Sequence, residues 1–141
     1  MPKNKYDKYI TSEVIKKDPK NPNASVTGTR HLENFGGGHL SIDSIFVAHP
    51  HVMITQPHKH EFPQYLHFFS ANPRDSKDFD AEIEVNLGEE QEKHIINKPS
   101  VVYVPAGQLH GPISFNKVNK PLLFIDIALT GKYSRVGNTP D

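Results

Sequence analysis

Gln56-Pro57-His58-Lys59-His60-Glu61-Phe62-Pro63-Gln64 is the densest polar stretch in the chain. His58 and His60 stand at i and i+2. On an extended segment that spacing sets both imidazoles on one face, with Cα atoms about 6.6 Å apart. Metal–nitrogen bonds of about 2.0–2.1 Å can then reach one ion from both rings without distorting the backbone. Neutral imidazole is also the commonest nitrogen ligand. A His-x-His tripeptide does not specify a metal by itself, because two histidines on a polar loop are more often solvated. The chain carries nine histidines, at 31, 39, 49, 51, 58, 60, 67, 94 and 110, so the question is which of them converge.

Around this stretch the text consists of short β-branched and aromatic runs separated by Pro, Gly and Asn. Strands are expected over 42–48, 52–55, 65–69, 81–87, 94–96, 101–104, 113–115 and 122–129, with no convincing helix among them. Eight short, regularly punctuated strands are the signature of an antiparallel sandwich or barrel, an all-β fold. Ala81, Ile83, Val85 and Leu87 alternate with Glu82, Glu84 and Asn86, which gives one apolar and one wet face. The 122–129 run is apolar on both faces except at Asp126. It is expected between two packed sheets or under a subunit contact, which favours a homodimer. Residues 1–39 read as an irregular N-terminal arm, packed on the barrel or on a partner subunit. Asp18-Pro-Lys-Asn-Pro-Asn23 interrupts any long element there, although a short helix or strand over 9–17 has a weak periodic face. Gly36-Gly37-Gly38 reads as a tight turn rather than a phosphate loop, which needs a strand before it and a helix after it. Residues 40–141 read as the barrel.

A second segment completes the site. A strand of buried type, 101–104, ends at Pro105-Ala106-Gly107, and the following turn delivers His110. His58-x-His60-x-x-x-Gln64 resembles the first motif of the cupin superfamily, His-x-His, three or four residues, then Glu. Pro105-x-Gly107-x-x-His110 resembles the second motif, in its spacing and in the strand before it. Together they span about residues 45–129. The resemblance implies a double-stranded β-helix, a jelly-roll barrel of two sheets. It also implies one divalent metal ion (Fe, Zn, Ni or Mn) held at the barrel mouth by His58, His60, Gln64 and His110. The departures are Gln64 where the motif has Glu, residues 70–74 in place of a glycine, Pro99 in place of the glycine opening the second motif, and Ser114 in place of its closing asparagine. With Gln64 the fourth donor is a neutral carbonyl oxygen, so the metal keeps one more unit of positive charge and is a stronger Lewis acid, more weakly bound. Glu61 offers a carboxylate instead, but its parity relative to His60 points it to the opposite face.

Composition narrows the partners. The chain has 141 residues, one domain's worth, and its 16 Lys+Arg balance 16 Asp+Glu. No charge excess draws it to nucleic acid or an anionic membrane. Without cysteine there is no disulfide framework, iron–sulfur cluster, thiolate zinc site or cysteine nucleophile, so any metal is held by N and O. The longest apolar run, 122–125, is far short of the ~20 residues of a membrane helix. The charged start has no apolar leader segment, so a cytoplasmic location is expected. Hydrophobic content is 35%; this is low for a globular domain and points to a small core completed by a partner.

The function expected is that of a metal-dependent enzyme on a small organic metabolite, of dioxygenase, isomerase or lyase type. Acid–base groups would come from Glu61, His49, His51 or Tyr103. The alternative is a noncatalytic module that binds a small molecule, and a metal-free structural barrel is a third reading. His67 has the wrong parity to face the metal. His31, His39 and His94 read as solvated, Tyr65 and Phe68 as core, Arg74 as a surface ion-pair partner, and residues 89–93 as a hairpin loop.

Overall fold

Alternation produces the strands. Ala81, Ile83 and Val85 are buried, with Glu82 and Glu84 half-buried on the opposite face, as a period of two requires. The computed structural model describes residues 4–12, 15–17, 26–29, 32–134 and 136; residues 18–23 and His31 lie outside them. In chain order the strands are β1 (Ile15–Lys17), β2 (Val26–Thr29), β3 (Leu32–Glu33), β4 (Ser41–Val47), β5 (His51–Ile54), β6 (Gln64–Ser70), β7 (Ala81–Leu87), β8 (Glu92–Ile96), β9 (Ser100–Val104), β10 (His110–Val118) and β11 (Leu122–Ala128). All eight expected strands are present, with ends moved by a few residues where ladder hydrogen bonds extend past the apolar run. The described residues contain no α-helix, only 3-10 turns at Asp7–Tyr9 and Phe35–Gly37.

Among the described residues, one sheet runs β1-β2-β4-β11-β6-β9, with β3 also on β4, and a second runs β5-β10-β7-β8. Every pairing is antiparallel. Strands far apart in sequence are neighbours, β4 with β11 and β5 with β10, which is the wrapping of a jelly roll. The sheet also begins earlier than residue 40. Val26, Thr27 and Gly28 pair with Val47, Phe46 and Ile45, while Leu32 and Glu33 pair with Ile42 and Ser41. Backbone pairing here does not need apolar alternation, because the partner strand β4 supplies the template.

The inner faces meet around three rings. Phe68 lies 5.1 Å from Phe124 and 6.3 Å from Phe115, with Ile83, Ile113 and Leu122 buried alongside. The inner residues of β11, Leu122, Phe124 and Ala128, are buried, whereas Leu123, Ile125 and Ile127 are half-buried on the sheet's outside. This strand is therefore central within one sheet rather than sandwiched between two. Removing the Phe68 ring leaves a cavity between the sheets. Phe68→Ala is expected to destabilise by about 3–5 kcal/mol and Ile83→Val by about 1 kcal/mol, read as lower urea midpoints at unchanged slope.

Candidate metal centre

The β5–β6 connection and the start of β10 are clamped together by the backbone. The N–H of His58 donates to the carbonyl of His110 and the N–H of His110 to that of His58, both at 2.9 Å, and the N–H of Gly107 donates to the carbonyl of His60 at 2.7 Å. Close approach depends on Gly111, at φ +96°, where a Cβ would come 3.0 Å from Ile54 Cγ2 and 3.3 Å from the Gln56 carbonyl. A side chain there would push the two motifs apart.

The clamp gathers three buried imidazoles. Ring centroids are 4.9 Å apart for His58–His60, 4.4 Å for His58–His110 and 5.3 Å for His60–His110, and one ring nitrogen of each lies within 4.8 Å of the others. Nitrogens sharing an ion at 2.0–2.1 Å are roughly 3–4 Å apart, so small side-chain rotations complete the shell. The Nδ1 atoms face backbone carbonyls: Gln56 at 3.3 Å for His58, Gln108 at 3.2 Å for His110, and Ser134 for His60. A carbonyl only accepts, so each Nδ1 facing one carries the proton, which makes Nε2 the acceptor atom of each neutral ring. This is how a protein prepares histidine to bind a metal. At His60 that acceptor atom faces the Tyr133 hydroxyl.

Gln64 is the fourth inward group. It is buried at 1% exposure, whereas Glu61 is exposed, as strand parity anticipates. The Gln64 amide nitrogen donates to both carboxylate oxygens of Asp126 at 3.1 Å and to the Tyr133 hydroxyl at 3.2 Å. Its carbonyl Oε1 is buried without a hydrogen-bond partner. A buried acceptor without a partner is a group that a cation would satisfy.

The other expected participants sit elsewhere. Tyr103 and Tyr65 pack at a tilt on the outer face of the larger sheet, centroids 5.0 Å apart, because they flank the inward Val104 and Gln64. His49 is exposed between β4 and β5. The His51 ring stacks on Phe115 at 5.0 Å, five residues along β10 from His110, or roughly 16 Å of strand. So Glu61, His49, His51 and Tyr103 are not brought to the histidine cluster. His67 faces outward beside Phe69, His39 is exposed, and the exposed His94 pairs with Glu92 at 2.6 Å. Arg74 is exposed too.

Two participants escaped sequence reasoning. The Tyr133 ring packs at a tilt against His60 at 4.8 Å and Phe62 at 5.4 Å, and its hydroxyl lies 3.2 Å from His60 Nε2. It rides on a C-terminal segment tied to the β5–β6 connection by Leu129 N–H to the Pro63 carbonyl and Val136 N–H to the Lys59 carbonyl. Nothing periodic marks that tail. Asp126 did carry a signal, as the one ionisable residue in an apolar strand.

No protein-family model matches the chain, and no curated protein does. Solved structures do. An oxalate oxidase in complex with glycolate superposes with a TM-score of 0.59 at 12% identity, covering 92% of this chain and 63% of the other. The iron(II) form of HppE gives 0.55 at 12%, covering 81% and 55%. Bacillus subtilis oxalate decarboxylase, in work on its Mn(II) centres, gives 0.54 at 12%, covering 79% and 27%. The chain thus spans between about a quarter and two thirds of these three proteins' lengths. At such identities the likeness is one of fold alone: the chain shares the two-sheet jelly-roll fold of these proteins.

Proposed function

We propose that this chain is a metal-dependent enzyme acting on a small organic molecule, with His58, His60, His110 and Gln64 as ligands of one divalent ion. The observation that carries the reading is the convergence of three buried imidazoles, one ring nitrogen of each within 4.8 Å of the others and each Nδ1 facing a backbone carbonyl. Iron, manganese, zinc and nickel all suit a nitrogen and oxygen donor set. Mn(II) and iron(II) are the ions named for two of the similar structures. When bound, the ion supplies Lewis acidity toward a substrate oxygen, which suits dioxygenase, isomerase or lyase chemistry.

The chain's own residues set the conditions. The backbone carbonyls fix the three rings, and the Phe62 and Tyr133 rings cover His60 and exclude water from that side. The Tyr133 hydroxyl places a proton at His60 Nε2 and receives a hydrogen bond from the Gln64 amide. One lone pair cannot serve a hydroxyl and a cation together, so if His60 Nε2 held an ion, the Tyr133 hydroxyl would keep its contact with the Gln64 amide and be the proton-bearing group beside the site.

A homodimer through the outside of the larger sheet belongs to the same reading. Phe46, Tyr65, Val101 and Tyr103 are 49%, 37%, 51% and 51% exposed there, and a cluster of large apolar side chains on one sheet face marks an interaction surface.

Protein purified without an affinity tag is expected to hold about one divalent ion per chain, lost in His60→Ala and His110→Ala while circular dichroism keeps its β signature. Wild-type protein that neither contains nor takes up Mn(II), Fe(II) or Zn(II) would refute the metal reading. In a screen of small organic acids and carbonyl compounds, turnover that requires the ion supports the enzyme. A compound that raises Tm yet is recovered unchanged, with no turnover of any other, supports the binding module instead. Light scattering should give twice the chain mass, and Tyr103→Glu should give the monomer; a monomeric wild type overturns the dimer.

A further inference from the structure

Asp126 interrupts an otherwise apolar strand, and neither the barrel core nor the ligand set accounts for it. It lies on the inner side of β11, diagonal to Gln64 on the neighbouring β6, since Ala128 is directly opposite Gln64 and Asp126 opposite Leu66. Putting a carboxylate into that apolar row is costly unless its charge is met by hydrogen bonds. Here it accepts from the Gln64 amide at 3.1 Å through both oxygens.

We infer that Asp126 is a positioning residue that makes Gln64 a metal ligand. A side-chain amide can present either end to a neighbour. A neutral, ambivalent neighbour would accept both orientations, and half of the time the nitrogen, a poor ligand that repels a cation with its hydrogens, would face the site. A carboxylate accepts only, so it admits one orientation, nitrogen toward Asp126 and oxygen away. The second amide hydrogen goes to Tyr133, which leaves neither hydrogen to compete, and Oε1 is the atom left buried without a partner. The carboxylate has a second effect. Its charge polarises the amide through the hydrogen bond and raises the electron density on Oε1, so some of the anionic character missing from a neutral fourth donor reaches the metal through Gln64. The pair Gln64–Asp126 then acts as one ligand, its charge held one residue behind its donor atom.

This inference rests on Gln64 being a ligand, so the test separates the two. The dissociation constant for Mn(II) is measured from the electron paramagnetic resonance signal of the unbound ion. Asp126→Asn is expected to weaken binding by about 10–100-fold, the usual cost of removing the group that orients a ligand. Gln64→Ala should weaken it by a comparable factor, and the two together by little more than either alone. The exchanged pair Gln64→Glu with Asp126→Asn keeps one donor and one carboxylate in contact with their roles reversed, and is expected to recover affinity to within a few-fold of wild type. A purely structural Asp126 would change the melting temperature without this pattern in the dissociation constants. If Gln64→Ala weakens binding and Asp126→Asn does not, the positioning role is wrong and the ligand stands. If Gln64→Ala binds as wild type, the ligand assignment itself fails. An exchanged pair that folds but binds no better than Asp126→Asn also overturns the inference. Wild-type protein supplies a variant-independent arm: with Zn(II) bound, both side-chain amide hydrogens of Gln64 should exchange slowly with solvent, and fast exchange of either would contradict the contact.

Discussion

Two reciprocal backbone hydrogen bonds between residues 58 and 110 hold the site together. They lie outside the regular ladders, at an isolated bridge between a connection and the first residue of β10. Without them, His58 and His60 would belong to a loop and His110 to a turn, about fifty positions apart in the chain. The bridge helps set the rings at centroid distances near 5 Å, and backbone carbonyls, local for His58 and His110 and from Ser134 for His60, face their Nδ1 atoms. Gathering three histidines in an apolar interior has a cost, because each brings two polar nitrogens out of water. The Nδ1 atoms of His58 and His110 recover hydrogen bonds from backbone beside the bridge, and that of His60 from the Ser134 carbonyl of the C-terminal segment. The site is thus built from main-chain geometry first and side-chain identity second, which is why Gly111 matters although it touches no ion.

That order explains what could be read in the sequence. Strand alternation is a local property, so β4 to β11 were legible from Ile, Val and Phe spacing, and parity alone separated the inward Gln64 from the outward Glu61 and His67. Spacing and family resemblance pointed to His110 as the third histidine. What failed was long-range. Tyr103 has the composition of a substrate wall, yet one residue of register puts it outside the barrel beside Tyr65. His51 does face inward, but at the Phe115 end of the strand, and no local pattern says which end of a barrel a residue will occupy. Tyr133 sits in a tail without periodicity, and only folding brings its hydroxyl to His60. The strands β2 and β3 follow the same logic, since their pairing is templated by β4, and β1 pairs in turn with β2.

The charge balance of the site is its most unusual feature. Four neutral donors would leave a divalent ion with its full charge in an enclosed space, which strengthens its pull on a substrate oxygen and weakens the protein's hold on the ion. In the proposed site Asp126 would moderate that trade. Placed behind Gln64 rather than on the ion, its carboxylate would contribute to binding through a polarised amide while occupying no coordination position. A carboxylate in direct contact can bind through one oxygen or two, and so can close a position that a substrate needs. An amide oxygen pinned by its own nitrogen can use only one. The substitution of Gln for Glu in the first motif therefore need not signal a lost metal site. Combined with an acid on the adjacent strand, it would give the proposed site a ligand of fixed denticity, with the Tyr133 hydroxyl hydrogen-bonded to its amide.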